Sequence, residues 1–136
     1  VAVAAWRLGG IPWHRILFHD FSKFHPKEFF GYANNFFGDR SQKFLWKLAW
    51  LHHQNHNDHH WGYWVNRGYY EVNELIDMPE VSIREMVADW QAAQRTYTGH
   101  WDSQEWLEKN LDNIPLSVPT RITLERILVN ELGYRI

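Results

Sequence analysis

Apolar residues recur along most of this chain with the spacing of helices rather than strands. Residues 1–8 hold Val1, Val3, Ala4, Ala5 and Trp6 and stop at Gly9-Gly10, a pair that breaks a helix. Pro12 suits a first helical position, and a helix from there carries Trp13, Ile16, Leu17, Asp20 and Phe24 along one side. Pro26 opens a third helix that turns Phe29, Phe30, Ala33, Phe36 and Phe37 inward and ends at Gly38. Ser41 caps a long fourth helix reaching about residue 56, on which Trp46, Trp50 and His53 fall at i, i+4 and i+7.

The helical period fades between 57 and 80. Asn57-Asp58 is a break, Asn66-Arg67-Gly68 reads as a turn, and Tyr70, Val72 and Leu75 alternate as in a short β-hairpin or an extended loop near 64–78. Ser82 with Glu85 three residues later forms a capping box for the next helix. That helix puts Ile83, Met86, Val87, Trp90, Ala93 and Tyr97 on one face, with Asp89 at its border, and closes at Gly99. Asp102 or Ser103 caps a short helix to about 111, and Pro119 or Thr120 opens a last one ending at Gly133. These elements predict an all-α fold, a single helical domain over 1–136 with no internal repeat and no linker to a second domain.

Length and composition fit that expectation. A chain of 136 residues can bury one hydrophobic core, and nine Trp, eight Phe and six Tyr supply large buried areas to a modest bundle. The net charge of −2 gives no reason to expect general nucleic-acid binding or attraction to an anionic membrane. No apolar run reaches the roughly 18 residues of a span, and no signal-peptide pattern stands at the start, so the expected location is cytoplasmic. Val1 begins inside an apolar helical segment, so the first helix is expected to be truncated. There is no cysteine: the fold uses no disulfide, and a transition metal would have to be held by nitrogen and oxygen.

Three groups of residues could carry chemistry. His19-Asp20 sits near the end of the second helix; adjacent helical residues point about 100° apart, so both reach one ion only where the helix edge meets a cavity. Asp20 falls with the buried set, which is costly unless a cation, an Arg or a Lys pairs with it. Five of the nine histidines, His52, His53, His56, His59 and His60, crowd into nine residues. His52 and His56 share a face at i, i+4, the spacing at which two imidazoles chelate. His53 continues the aromatic face and is the interior candidate, while His59-His60 can turn back after the break. Some of these rings would serve behind the ligands or as substrate contacts; the alternative is a polar, histidine-rich loop. Asp89, among apolar neighbours, reads as a half-buried acid or a ligand, and Lys23 as a phosphate contact or a solvated lysine.

Taken in order, these pieces form a pattern: a His-Asp doublet, a small residue and Lys, a His on the next long helix, a His pair, then an Asp on a later helix. In this the chain resembles the HD-domain superfamily of metal-dependent phosphohydrolases. His19-Asp20-Phe21-Ser22-Lys23-Phe24 is similar to that superfamily's His-Asp motif, with Ser22 where Gly is frequent. More closely, the chain resembles a bacterial and phage family of HD-like proteins of unknown function over about residues 1–115. Ile11-Pro12, Glu28-Phe29, Ala49-Trp50-Leu51-His52-His53-Gln54, Asn57-Asp58-His59-His60-Trp61-Gly62-Tyr63-Trp64, Met78-Pro79 and Glu85-Met86-Val87-Ala88-Asp89-Trp90 carry that likeness with the doublet.

The resemblance implies a compact HD-type bundle with metal ligands at His19, Asp20, His53, His60 and Asp89, and His59 as the alternate to His60. It implies Asp20 and Lys23 as catalytic residues, Lys23 lying near the substrate phosphate. One or two divalent ions would be bound, and the mixed imidazole and carboxylate shell suits Mn, Fe, Co, Ni or Zn. The implied activity is hydrolysis of a small-molecule phosphate ester, a nucleotide being one form, in a chain able to form a homo-oligomer. One departure stands out. HD domains supply a first histidine from a preceding helix, and none comes before His14, which is too close to His19 on the same helix to substitute. Either that ligand was lost with a truncated start or the site is reduced. Two further readings follow: a non-catalytic metal-binding or partner-docking domain with a structural site, and a di-iron oxygenase of the HD-like kind.

Overall fold

Seven α-helices and one two-stranded antiparallel ribbon make up the described residues, 1–68 and 73–136 of a computed structural model. The helices are α1 (Ala2–Leu8), α2 (Trp13–Phe18), α3 (Pro26–Phe37), α4 (Lys43–His56), α5 (Glu80–Thr98), α6 (Gln104–Asn110) and α7 (Val118–Arg126). The ribbon pairs β1 (Val65–Arg67) with β2 (Asn73–Leu75), Asn66 facing Glu74. The all-α expectation holds, with the ribbon inside the stretch read as a hairpin or loop. Leu75 ends β2, while Tyr70 and Val72 lie outside the described residues. No described helix is long and apolar enough to cross a membrane.

The organising element is α5, whose three sides meet different neighbours. Ile83, Met86 and Val87 pack with Leu107, Leu111, Leu124, Ile127 and Leu128 in the main core. Ala88 and Ala92 face Ala4 and Ala5 of α1, where small side chains let the two helices lie close. The third side presents Ser82, Glu85 and Asp89 at helical spacing. Ser82 is not a cap. Pro79 starts the helix instead, its carbonyl accepting the N–H groups of Ser82 and Ile83 at 3.0 and 3.1 Å. Ser82 is thereby drawn inside, fully buried, with its Oγ donating to Asp58 at 2.9 Å. Gly99 closes α5 as expected, in the left-handed conformation at φ 80°.

The α3–α4 hairpin carries the other half of the site. Pro26 opens α3 as expected, with the His25 ring accepting the Lys27 N–H at 3.2 Å. Where α3 meets α4 the backbones nearly touch: a Cβ on Gly31 would lie 2.6 Å from the Ala49 Cβ and 2.7 Å from the Leu45 carbonyl oxygen. Glu28 and Gly31, one turn apart, therefore occupy the inward face of α3 and are its buried residues. The expected inward phenylalanines are displaced to the outside, and Phe37 is 94% exposed. Gln42 rather than Ser41 precedes α4. The aromatic ladder on α4 forms as its spacing predicts, with ring centroids 6.2 Å apart for Trp46–Trp50 and 5.8 Å for Trp50–His53.

Candidate metal centre

The second helix stops earlier than the apolar pattern suggested, and that early stop builds the site. α2 ends at Phe18; His19 is extended, and Asp20 turns left-handed at φ 59°. An aspartate is among the few residues that tolerate this region. The turn replaces the 100° splay of adjacent helical residues, so that His19 Nε2 and Asp20 Oδ2 come within 3.3 Å. A 3-10 turn, Phe21–Phe24, follows and returns Lys23 Nζ to pair with Asp20 Oδ2.

Around Asp20 the remaining candidates converge from separate elements. Asp20 Oδ1 lies 3.2 Å from His53 Nε2 and 3.4 Å from His59 Nε2, and His19 Nε2 lies 3.6 Å from Asp89 Oδ1. His60 completes one group with Asp20, His53 and His59, in which one ligand atom from each lies within 4.8 Å of all the others. His19, Asp20 and Asp89 form a second group that shares Asp20 with the first, and His19, His59 and Glu85 form a third. Four atoms here, His19 Nε2, Asp20 Oδ1, His59 Nε2 and His60 Nε2, are buried without any hydrogen-bond partner. An ion bound at about 2.1 Å in a tetrahedral shell sets its ligand atoms about 3.4 Å apart. The observed separations match that spacing and are poorly aligned as hydrogen bonds, so the residues present fit a divalent cation.

The rings are held from behind by carboxylates. His19 Nδ1 donates to Glu85 Oε1 at 2.8 Å, and His53 Nδ1 donates to Glu28 Oε2 at 2.9 Å. Held through Nδ1, each ring turns its Nε2 toward the centre, as metal-binding imidazoles commonly do. His59 Nδ1 is 3.5 Å from the same Glu85 oxygen. Glu85 is fixed in turn by Arg15, whose Nε donates to Oε2 at 2.6 Å and whose two terminal nitrogens grip Asp58. Ser22 and Asn57 lock the loop: Ser22 Oγ donates to Glu28 at 3.1 Å, and Asn57 Nδ2 donates to Ser22 Oγ and to the His53 carbonyl.

The charge balance follows. Burial works against a charge on His19, but Asp20, Asp89 and Glu85 outweigh it and raise its pKa to about 11. Burial also favours neutral Asp20, yet the His19, His53 and His59 rings gathered around it hold it well below the usual carboxylate range. Glu85 and Asp89 are lowered against burial in the same way, chiefly by His19 and, for Glu85, by Arg15 as well. Burial and the neighbouring His59 and His53 push His60 down to about 3, leaving it neutral with a lone pair to offer. A protonated His19 thus fills, electrostatically, the role of a cation among the carboxylates. The centre opens onto a cleft of about 360 Å³ whose walls include Arg15, Phe18, His56 and Tyr63.

All six residues expected as ligands, His19, Asp20, His53, His59, His60 and Asp89, meet here. Lys23 sits at the edge, its side chain 41% exposed. His52 and His56 stand outside the cluster, their rings stacked 3.8 Å apart, and His52 Nδ1 donates to the second oxygen of Glu28 at 2.6 Å. His14 lines the cleft and joins none of the groups. Sequence reasoning missed Glu28, Arg15 and Asp58, and took Glu85 for a helix cap. Glu28 did leave one signal, an acid one helical turn before a glycine in a phenylalanine-rich helix.

No curated protein and no solved structure matches this chain. The HD likeness therefore rests on the order of the sequence motifs alone. A family model does match, over residues 1–130, and on that match the chain belongs to the family of unknown function DUF5662.

Proposed function

We propose that this chain is a metal-dependent hydrolase of phosphate esters of the HD kind. The observation that carries the reading is the set of four buried, unpartnered atoms of His19, Asp20, His59 and His60, gathered beside an open polar cleft. Two of the ligand groups suit different duties. Asp20, His53, His59 and His60 are enough to close a tetrahedral shell, complete without a histidine from a preceding helix. His19, Asp20 and Asp89 supply three protein ligands, of which His19 and Asp20 line the cleft, which leaves room for a water or a substrate oxygen. A divalent cation bound there would supply an acidified water and polarise a phosphoryl oxygen.

The chain's own groups set the stage for that chemistry. Glu28 and Glu85 hold His53 and His19 by Nδ1, which directs Nε2 of each ring inward. Arg15 is fully engaged by Glu85 and Asp58, so it positions them rather than the substrate. Lys23 pairs with Asp20 but does not line the cleft, so its part is to balance the charge of Asp20 rather than to meet the substrate phosphate that the sequence resemblance assigned to it. Asp20 would thus bridge the two positions.

The four-residue group by itself also favours a second reading, a purely structural metal site. Elemental analysis of protein purified without chelator, then phosphatase assays over nucleotides and sugar phosphates with Mn, Fe, Co, Ni and Zn, separates the two. Metal-dependent turnover lost in His19→Ala and Asp20→Ala supports the hydrolase. One tightly held ion with no turnover on any substrate supports the structural site, and a metal-dependent uptake of oxygen would point to oxidative chemistry instead.

A further inference from the structure

The net charge of the chain averages over two unlike regions. Between residues 21 and 56 the basic side chains are Lys23, Lys27, Arg40, Lys43 and Lys47, and the only acids are Glu28 and Asp39. Glu28 is buried in the metal centre and Lys23 is paired with Asp20. Lys27, Arg40, Lys43 and Lys47 are exposed, and none of them forms an ion pair with a described residue. Asp39 is occupied locally, accepting from Asn34 Nδ2 and the Ser41 N–H.

The same stretch exposes its largest rings. At the end of the α3–α4 hairpin away from the metal centre, Phe36, Phe37 and Phe44 are 47%, 94% and 71% exposed. A phenylalanine carries roughly 150–250 Å² of buriable surface, so these three present on the order of 400 Å². That total is comparable to the largest apolar patch on an ordinary monomer. A groove of about 590 Å³ lined by Phe30, Leu45, Leu48 and Leu51 lies on the same hairpin. Arg40 sits in the connecting turn and Lys43 and Lys47 follow on consecutive turns of α4, so the rings are flanked by cations.

We propose that the distal end of the α3–α4 hairpin docks on a membrane surface rich in anionic lipid. Phenylalanine rings enter the boundary between headgroups and acyl chains, while Lys and Arg beside them meet the lipid phosphates. A bilayer satisfies both features at once. A second copy of this chain placed across a two-fold axis at the same spot would set Lys43 and Lys47 against their own counterparts with no acid to receive them. From Phe44 to His53 along α4 is about 14 Å at the helical rise, so the cleft stays in water while the end of the hairpin touches lipid. The proposal is independent of the hydrolase reading.

The test is co-sedimentation of the whole chain with vesicles of phosphatidylcholine alone and of phosphatidylcholine mixed with phosphatidylglycerol. Binding to the mixed vesicles, weakened by high salt and at least tenfold lower on the neutral ones, is expected. Lys43→Gln and Lys47→Gln should each lower partitioning roughly fivefold. Phe37→Ser with Phe44→Ser should abolish it without lowering the melting temperature, because both rings are already in water. Absence of binding to either vesicle overturns the proposal, as does equal binding to both. Light scattering that shows a dimer dispersed by the phenylalanine changes would assign the surface to a second copy and equally overturn it. Capture of a single-stranded oligonucleotide lost with the same lysines would do so in favour of nucleic acid.

Discussion

Replacing Glu28 by alanine probes how the chain aims His53. Three donors end on this fully buried carboxylate: His52 Nδ1 at 2.6 Å, His53 Nδ1 at 2.9 Å and Ser22 Oγ at 3.1 Å. In Glu28→Ala, His52 can reach water, whereas His53, 2% exposed, cannot, and its Nδ1 keeps only the neutral Ser22 Oγ, 3.2 Å away. Losing the charged acceptor costs about 1–3 kcal/mol, and the space left by the side chain adds to it. A loss of about 3 kcal/mol in a domain of this size lowers the melting temperature by on the order of 10 °C. The sharper effect is on metal binding. Loss of the group that fixes a ligand imidazole typically weakens metal affinity by about 10–100-fold, or about 1.4–2.7 kcal/mol. Glu28→Gln should fall between the two, since its carbonyl can still serve His53 and Ser22 while its amide turns to His52, which can change tautomer. His52→Ala, which leaves the His53 contact intact, should stay near the parent. The assay is competition with a chromogenic chelator at fixed pH, with circular dichroism to confirm that each variant is folded. A folded Glu28→Ala that keeps metal affinity within twofold of the parent refutes the reasoning, as does a His52→Ala that loses as much.

Three further outcomes follow from the same geometry. Gly31→Ala should destabilise by about 1–3 kcal/mol, because its Cβ would sit 2.6 Å from that of Ala49; Ala49→Gly in the same chain should restore part of this in a urea titration but not all, since the Leu45 carbonyl oxygen remains 2.7 Å away. Arg15→Leu strips the ion partner from Glu85, whose side chain is 5% exposed; about 2–4 kcal/mol is expected, less than for a fully buried pair because Arg15 itself is 23% exposed. Arg15→Lys should recover only a fraction, having no planar fork to grip Asp58 and Glu85 together, and full recovery would refute the role of the fork. Acidity gives the last outcome. The His19 pKa is raised from 6.5 to about 11, so its stabilisation of the metal-free protein is complete below about pH 6.5 and is lost as pH rises toward 11. The urea midpoint of the metal-free chain should therefore fall between pH 7 and pH 10, and His19→Gln should flatten the slope. A parent midpoint constant over that range would contradict the assignment. Metal affinity should rise over the same interval, because binding at Nε2 displaces that proton.

Local information was enough for much of this protein. The 3.6-residue spacing of apolar positions marked α1, α4 and α5, the proline at 26 opened α3, the glycine at 99 closed α5, and the Trp46–Trp50–His53 ladder followed from sequence spacing alone. Those features depend on residues within a turn or two of one another. The six residues that cluster could be named from sequence too, because the order of the imidazoles and carboxylates carried the resemblance that singled them out.

What needed the tertiary structure was direction. The phenylalanines of α3 satisfy a helical pattern, but which side faces inward was decided by the Gly31–Ala49 approach, and that belongs to another helix. Ser82 and Glu85 match a capping box in sequence; Pro79 set the helix start upstream and sent both side chains to partners far along the chain, Ser82 to Asp58 and Glu85 to Arg15 and His19. The helix pattern ran on through Asp20 to Phe24, past the end of α2 at Phe18, because the left-handed turn at φ 59° is held by contacts with His53 and Lys23. Periodicity reports which side chains share a face. Only contacts between residues such as His19 and Glu85, 66 positions apart, decide what that face meets, and hence whether a buried acid is a cap, an ion pair or the support of a metal ligand.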